Sequence, residues 1–113
     1  MDKLTHYQNL IKTFLTKYSK LLTAPPPLPF NVVLAFDDQQ NQYLLRELGW
    51  DKNRRIRRTV LHIAIRNDKI WIEEDWTEEG IATYLLEHGV PNQDIVLGFQ
   101  PPEIRTLTEF AAA

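Results

Sequence analysis

The sequence predicts an α+β domain: an antiparallel β-sheet (a four-strand meander plus a short C-terminal strand), an N-terminal helix, and a second helix after the meander. Three observations predict it. Residues 54–75 read RRIRRTVLHIAIRNDKIWIEED, two β-branched, aromatic-containing runs around Asn67-Asp68. Both turn residues tolerate the positive φ that a two-residue hairpin loop requires. The first 22 residues carry apolar side chains at helical spacing, and a second apolar helical pattern follows the hairpin.

Composition sets outer bounds. With 113 residues the chain reads as one domain, 1–113, long enough to bury roughly 65% of its unfolded surface. Its hydrophobic content of 43% and charged content of 25% are those of an ordinary globular protein. The net charge of −2 creates no overall field toward nucleic acid or anionic membranes. The absence of cysteine excludes disulfides, thiolate metal sites and cysteine nucleophiles. No apolar run approaches a membrane span or a signal-peptide core, so a cytoplasmic protein is expected.

From Asp2 to Leu22, apolar residues at Leu4, Tyr7, Leu10, Ile11, Phe14, Leu15, Tyr18, Leu21 and Leu22 form one helical stripe, with Asp2 as N-cap. Pro25-Pro26-Pro27 ends the helix, because proline lacks an amide hydrogen and disfavours helix in its predecessor. With Pro29 the segment is a stiff connector, leading away from the sheet edge or across to another subunit. Asn31–Phe36 and Tyr43–Trp50 read as strands. A two- or four-residue loop after Trp50 pairs Glu47 with Arg58, Leu45 with Val60 and Leu44 with Leu61. A three-residue loop would set Arg46 against Arg58, a repulsive pair. The hairpin sets Ile65 against Ile70, Ala64 against Trp71, Ile63 against Ile72 and His62 against Glu73. Alternation then puts Leu61, Ile63, Ile65, Ile70 and Ile72 on one face, joined by Leu44. Thr77–His88 is the second helix, with Glu78 and Glu79 in its first turn, Asp75 or Thr77 as cap, and Gly89 and Pro91 as the stop. Ile95–Phe99 is a short strand buried on both sides.

Candidate chemistry is sparse. Lys52, Arg54, Arg55, Arg57 and Arg58 put five cations in seven residues, a candidate contact for DNA phosphates. The plainer reading, which is favoured, is a solvated hairpin end with Glu47 and Asp51 pairing Arg58 and Arg54. Tyr43, His62 and Glu73 are expected together on the less apolar face, where a histidine beside a carboxylate can act as a base. No nucleophile, oxyanion donor or metal partner accompanies them, so no catalytic residue is assigned. His6, His62 and His88 lack metal-ligand spacing, and the acidic run from Glu73 to Glu79 lacks a calcium-loop pattern. Neither cofactor nor metal is expected. The second sheet face, lined by Leu45, Val60, Ala64 and Trp71, is expected to be covered by another protomer; two helices covering both faces is the alternative. Tyr43, Leu45, His62, Trp71 and Glu73 are then the candidate partner or oligomer interface.

The segments MDKLTHYQNLIKTFL, LGWDKNRRI, VLHIAIRNDKIWIEED and GIATYLLEHGVPNQDIVLGFQPPEIRTLTEFAAA together resemble the XisI-like proteins, the fdxN-element excision controlling factors. The resemblance runs from end to end, in family order and spacing. Where that family commonly carries GFHPP, this chain has Gln100 in place of the histidine. The resemblance implies a cyanobacterial accessory factor that acts with an XisH-like partner and a site-specific recombinase in programmed excision of a DNA element. It offers no catalytic residues to carry over. A regulatory protein that binds proteins is therefore the leading expectation, ahead of a direct DNA binder using Arg54, Arg55, Arg57 and Arg58, with a small enzyme last.

Overall fold

The computed structural model describes residues 2–113. Helix α1 (Lys3–Leu22) begins where the Asp2 carboxylate accepts the Thr5 amide at 2.7 Å, and its buried stripe is Tyr7, Ile11 and Leu15. The proline segment turns the chain back onto its own sheet, so α1 packs against β1 (Phe30–Asp37), β2 (Gln42–Asp51) and β3 (Arg54–Arg66) of the same chain. After β4 (Lys69–Asp75) come α2 (Ile81–Glu87), a 3₁₀ turn at Asn92–Asp94, β5 (Ile95–Leu97) and a single-turn α3 (Pro102–Arg105). The strand order is β1-β2-β3-β4-β5. The first four strands are antiparallel, while β5 is parallel to β4 because α2 carries the chain back across the sheet before it re-enters.

The β3–β4 hairpin closes as the sequence predicts. Asn67 and Asp68 adopt φ of 54° and 62°, and Ile65 faces Ile70, Ala64 faces Trp71 and Ile63 faces Ile72. Leu61, Ile63, Ile65, Ile70 and Ile72 all enter the core shared with Tyr7, Ile11 and Leu15 of α1 and Ile81 and Leu85 of α2. The β2–β3 loop is the two-residue form, Lys52-Asn53, with Glu47 opposite Arg58.

Two bulges correct the rest of the predicted register. In β3, Val60 is an extra residue, so Leu45 faces Leu61 and Leu44 faces His62. A bulge leaves one residue unpaired and lets neighbours point the same way, and both Val60 and Leu61 reach the core. Tyr43 and Leu45 therefore occupy the core, fully buried, and Leu44 does not. In β4, Glu73 is the extra residue, and His62 faces Glu74.

The second helix is shorter than the predicted span from Thr77 to His88. Gly80, at φ 83°, is its N-cap and not an interior residue, so Glu78 and Glu79 precede the helix. Asp75 organises this entrance: its carboxylate accepts the Thr77 amide at 2.9 Å and the Ile81 amide at 2.7 Å. At the other end Gly89, at φ 87°, lets the Val90 amide return to the Leu85 carbonyl, a left-handed helix stop. The last strand is shorter than the predicted Ile95–Phe99. Ile95 and Val96 are fully buried, as expected of a two-sided strand, but the chain turns after Leu97 through the Gln100 amide to the Leu97 carbonyl, and Phe99 is exposed.

Polar contacts fix α1 at its N-terminal half. The Tyr7 hydroxyl donates to Asp94 at 2.5 Å, and the Lys3 ammonium lies 2.9 Å from the same carboxylate. Burial, and then the bond to Asp94, raises the Tyr7 pKa above its ordinary 10.0. Burial acting alone would raise Asp94, but Tyr7 and Lys3 outweigh it and hold the carboxyl below its ordinary 3.8. The depressed Asp94 contributes stability present above its unfolded pKa and lost as pH falls through the folded one; the raised Tyr7 contributes stability present below its unfolded pKa and lost as pH rises. We expect Tyr7→Phe to cost about 1–2 kcal/mol near neutral pH. Thermal melts across the acid and alkaline ranges should also show both limbs flattened relative to the parent chain; parallel curves would contradict this.

Candidate functional site

The face of the sheet away from α1 carries a small second apolar cluster of Ala64, Trp71, Val96 and Ala111. Trp71 is covered by the chain's own residues. The Arg66 guanidinium lies 3.9 Å from the indole centroid and that of Arg105 5.2 Å, within the range of cation–π attraction. Arg105 is oriented by carbonyls of the β5–α3 connection, donating to Gln100 at 2.9 Å and to Leu97 and Gly98 at 3.3 Å. Ala111 closes the cluster through a bridge to Val96. The tail from Glu103, which shows no clear periodicity in the sequence, thus seals one end of this face. Glu73 lies beside it, with Arg66 at 3.9 Å. Trp71 Nε1 and Glu73 Oε1 are buried without a hydrogen-bond partner among the described residues.

Tyr43, His62 and Glu73 are not brought together. Tyr43 points to the α1 side, where its hydroxyl donates to Asp38 at 2.7 Å. His62 Nε2 lies 2.7 Å from the Gln42 side-chain oxygen. Of the five candidate interface residues, Tyr43 and Leu45 are withdrawn into the core by the Val60 bulge, and Trp71 is occupied by the tail. His62 and Glu73 stay partly accessible on the second face. The expectation that Leu45 and Val60 line that face is corrected likewise, since both lie in the core under α1. The uncovered part of the face is lined by Val33 and Ala35 of β1 with Leu44 and Arg46 of β2.

The arginines divide by face and by employment. Arg58 points to the α1 side and pairs with Glu47, a carboxylate left only 6% exposed. Arg54 lies 3.7 Å from Asp51. Arg55 donates to the Gly49 carbonyl at 3.2 Å and lies over the Trp50 ring. Gly49 itself admits no side chain, because an added Cβ would fall 2.8 Å from that of Phe30. Arg57 has no carboxylate partner among the described residues and points away from α1. Beyond Leu61, where β4 ends at Asp75, β3 continues with β2 on one side and no strand on the other. A cleft of about 660 Å³ opens beside that overhang, lined in part by Tyr18, Leu22, Glu47, Arg57, Val60 and Trp76. The overhang is legible in hindsight: the first run of the hairpin is nearly twice as long as the second.

This architecture defines the class: an α+β protein with helices α1 and α2 packed on one face of a five-stranded, mostly antiparallel sheet. The family model for the XisI protein matches residues 1–112, and the chain belongs to that family. Two solved structures are similar over nearly their whole length. One is the fdxN element excision controlling factor XisI from Anabaena variabilis, 44% identical, with a TM-score of 0.89, covering 99% of this chain and 100% of that one. The other is a XisI-like protein from the same organism, 36% identical, with a TM-score of 0.89, covering 97% and 99%. No curated protein matches the chain.

The two kinds of arginine should separate in a stability measurement. Arg58→Ala leaves the buried Glu47 carboxylate uncompensated and should cost about 1–3 kcal/mol, discounted from the fully buried case because Arg58 is itself half-exposed. Arg57→Ala should fall within about 0.5 kcal/mol of the parent. Urea unfolding of both variants checks this, and equal losses would reject the division.

Proposed function

We propose that this chain is a non-enzymatic accessory factor for programmed excision of a DNA element, acting by binding an XisH-like protein and a site-specific recombinase. The observation that carries the reading is the 44% identity, over 99% of the chain, to a protein named as the controlling factor for excision of the fdxN element. The separate employment of Tyr43, His62 and Glu73 favours a binding role over a catalytic one, since no shared proton path links them. No helix among the described residues is long and apolar enough to cross a membrane. The apolar side chains of Val33, Ala35 and Leu44 on the uncovered sheet face support self-association, since contiguous exposed apolar patches mark interaction surfaces.

A second reading, direct contact with DNA, is favoured by the exposure of Arg54, Arg55, Arg57 and Arg58. It is weakened by the pairing of Arg58 with Glu47 and of Arg54 with Asp51. Nor is the helix beside them, α1, presented to a groove, since its apolar stripe is packed on the sheet.

Co-expression with an XisH-like partner should yield a complex that survives gel filtration and moderate salt, with the chain alone sedimenting above its 13.3 kDa monomer mass. Repeated recovery of a lone monomer under gentle conditions would reject both statements. If DNA is the direct target, affinity falls steeply with added salt and collapses when the four arginines are replaced by alanine; an unchanged affinity removes that reading.

A further inference from the structure

The overhang of β3 is a sheet edge kept open. From residues 54 to 59 the strand is paired by β2 alone. The nearest element across the gap contributes a single bond, the Trp76 amide to the Val60 carbonyl at 3.0 Å. No other backbone group among the described residues reaches this edge. An exposed row of amides and carbonyls is a template for another strand, and chains normally blunt it with charge, proline or a cover. Here the blunting is by charge alone, which repels a like-charged strand but not an acidic one, and the edge stands beside a cleft.

We propose that this edge is a docking strand for an extended acidic segment of a partner protein, which adds to the sheet beside Arg54–Thr59. The proposal rests on the accessory reading above and deepens it by naming the surface and the chemistry of the partner. Three features select that occupant. The edge carries Lys52, Arg54, Arg55, Arg57 and Arg58, of which Arg54 and Arg58 meet carboxylates while Arg55 and Arg57 do not. A second copy of this chain is disfavoured, because antiparallel pairing of two such edges sets arginine against arginine. A nucleic acid is disfavoured too, because the arginines are split between opposite faces of the strand and present no single row of cations to a phosphate backbone.

Strand pleating sets the pattern of the guest. Side chains of an added strand alternate between faces. Those on the α1 side would lie over Tyr18, Leu22 and Val60, which form the apolar wall of the cleft, and should be apolar. Those on the other side meet Arg55 and Arg57 and should be acidic. Trp76, 75% exposed at the rim, is placed to cover the apolar residue nearest Val60. In such strand addition, main-chain bonds supply affinity and alternate side chains supply specificity.

The test uses the full chain and a fluorescein-labelled peptide of about ten residues alternating glutamate and valine, with a lysine–valine peptide as its counterpart. Fluorescence anisotropy should show the acidic peptide binding and the basic one not. Amide NMR shifts should concentrate at residues 54–59, and Arg55→Glu with Arg57→Glu should weaken binding by roughly tenfold or more, with circular dichroism reporting an unchanged fold. Absence of binding, equal binding of both peptides, or shifts mapping to the β1 edge would overturn the proposal. Duplex DNA perturbing the same amides more strongly than the acidic peptide would overturn it in favour of a nucleic-acid occupant. The peptide assay contains no excision partner, so the two readings fail separately. A chain that binds the peptide but never co-purifies with an XisH-like protein keeps this edge and loses the accessory role; the converse keeps the role and removes the edge.

Discussion

Side chains alternate along a strand, so the point at which the β3–β4 hairpin turns decides which residues reach the helices. In this protein the turn is held by Asn67 and Asp68 in the left-handed region, which few residues other than glycine, asparagine and aspartate adopt cheaply. With the corner there, Ile63, Ile65, Ile70 and Ile72 fall on one face and are almost wholly buried beneath α1 and α2. A shift of one residue would expose that set to water, at a cost on the order of 2 kcal/mol for each side chain. The positions of α1, α2 and β5 all follow from this face being the apolar one.

The two bulges then divide the sheet into regions with different fates. At Val60 the inserted residue lets two consecutive side chains serve the core and draws Tyr43 and Leu45 in with them. At Glu73 the insertion falls beside the β5–α3 connection, whose Phe99 amide donates to the Ile72 carbonyl at 3.2 Å. There Gly98 lets the Glu73 carboxylate lie against the backbone; a Cβ would displace that side chain and crowd the Ile72 carbonyl at 3.2 Å. The second face is consequently uneven: sealed over Trp71 by Arg66, Arg105 and Ala111, and bare over Val33 and Leu44.

The arginine-rich stretch shows how one run of like charges can hold several roles. Arg58 neutralises a buried carboxylate and belongs to the fold, because stripping it away leaves Glu47 desolvated and unpaired. Arg54 and Arg55 stiffen the hairpin end through Asp51, Gly49 and Trp50. Arg57, facing outward without a carboxylate, is free to meet something outside the chain. Such a stretch is poorly described as a basic patch. Its charges are spread around an edge, and the edge itself, not a flat surface, is what they surround.

Local rules were sufficient for much of this protein. The periodicity of residues 2–22, the prolines that end α1, the hairpin corner and the Gly89 stop each reflect short-range sterics and hydrogen bonding, and each is found where those rules put it. The segment motifs likewise sufficed for the family. Where the bulges fall is another matter: an extra residue in a strand leaves no mark in an alternating pattern until the partner strand is beside it. The same holds for Gly80, whose helical neighbours hide a left-handed cap built by Asp75, and for Trp71, which looks available until a tail without periodicity folds across it. In each case the deciding contact lies between residues distant along the chain or in a turn without apolar rhythm, so it emerges only once the sheet has closed.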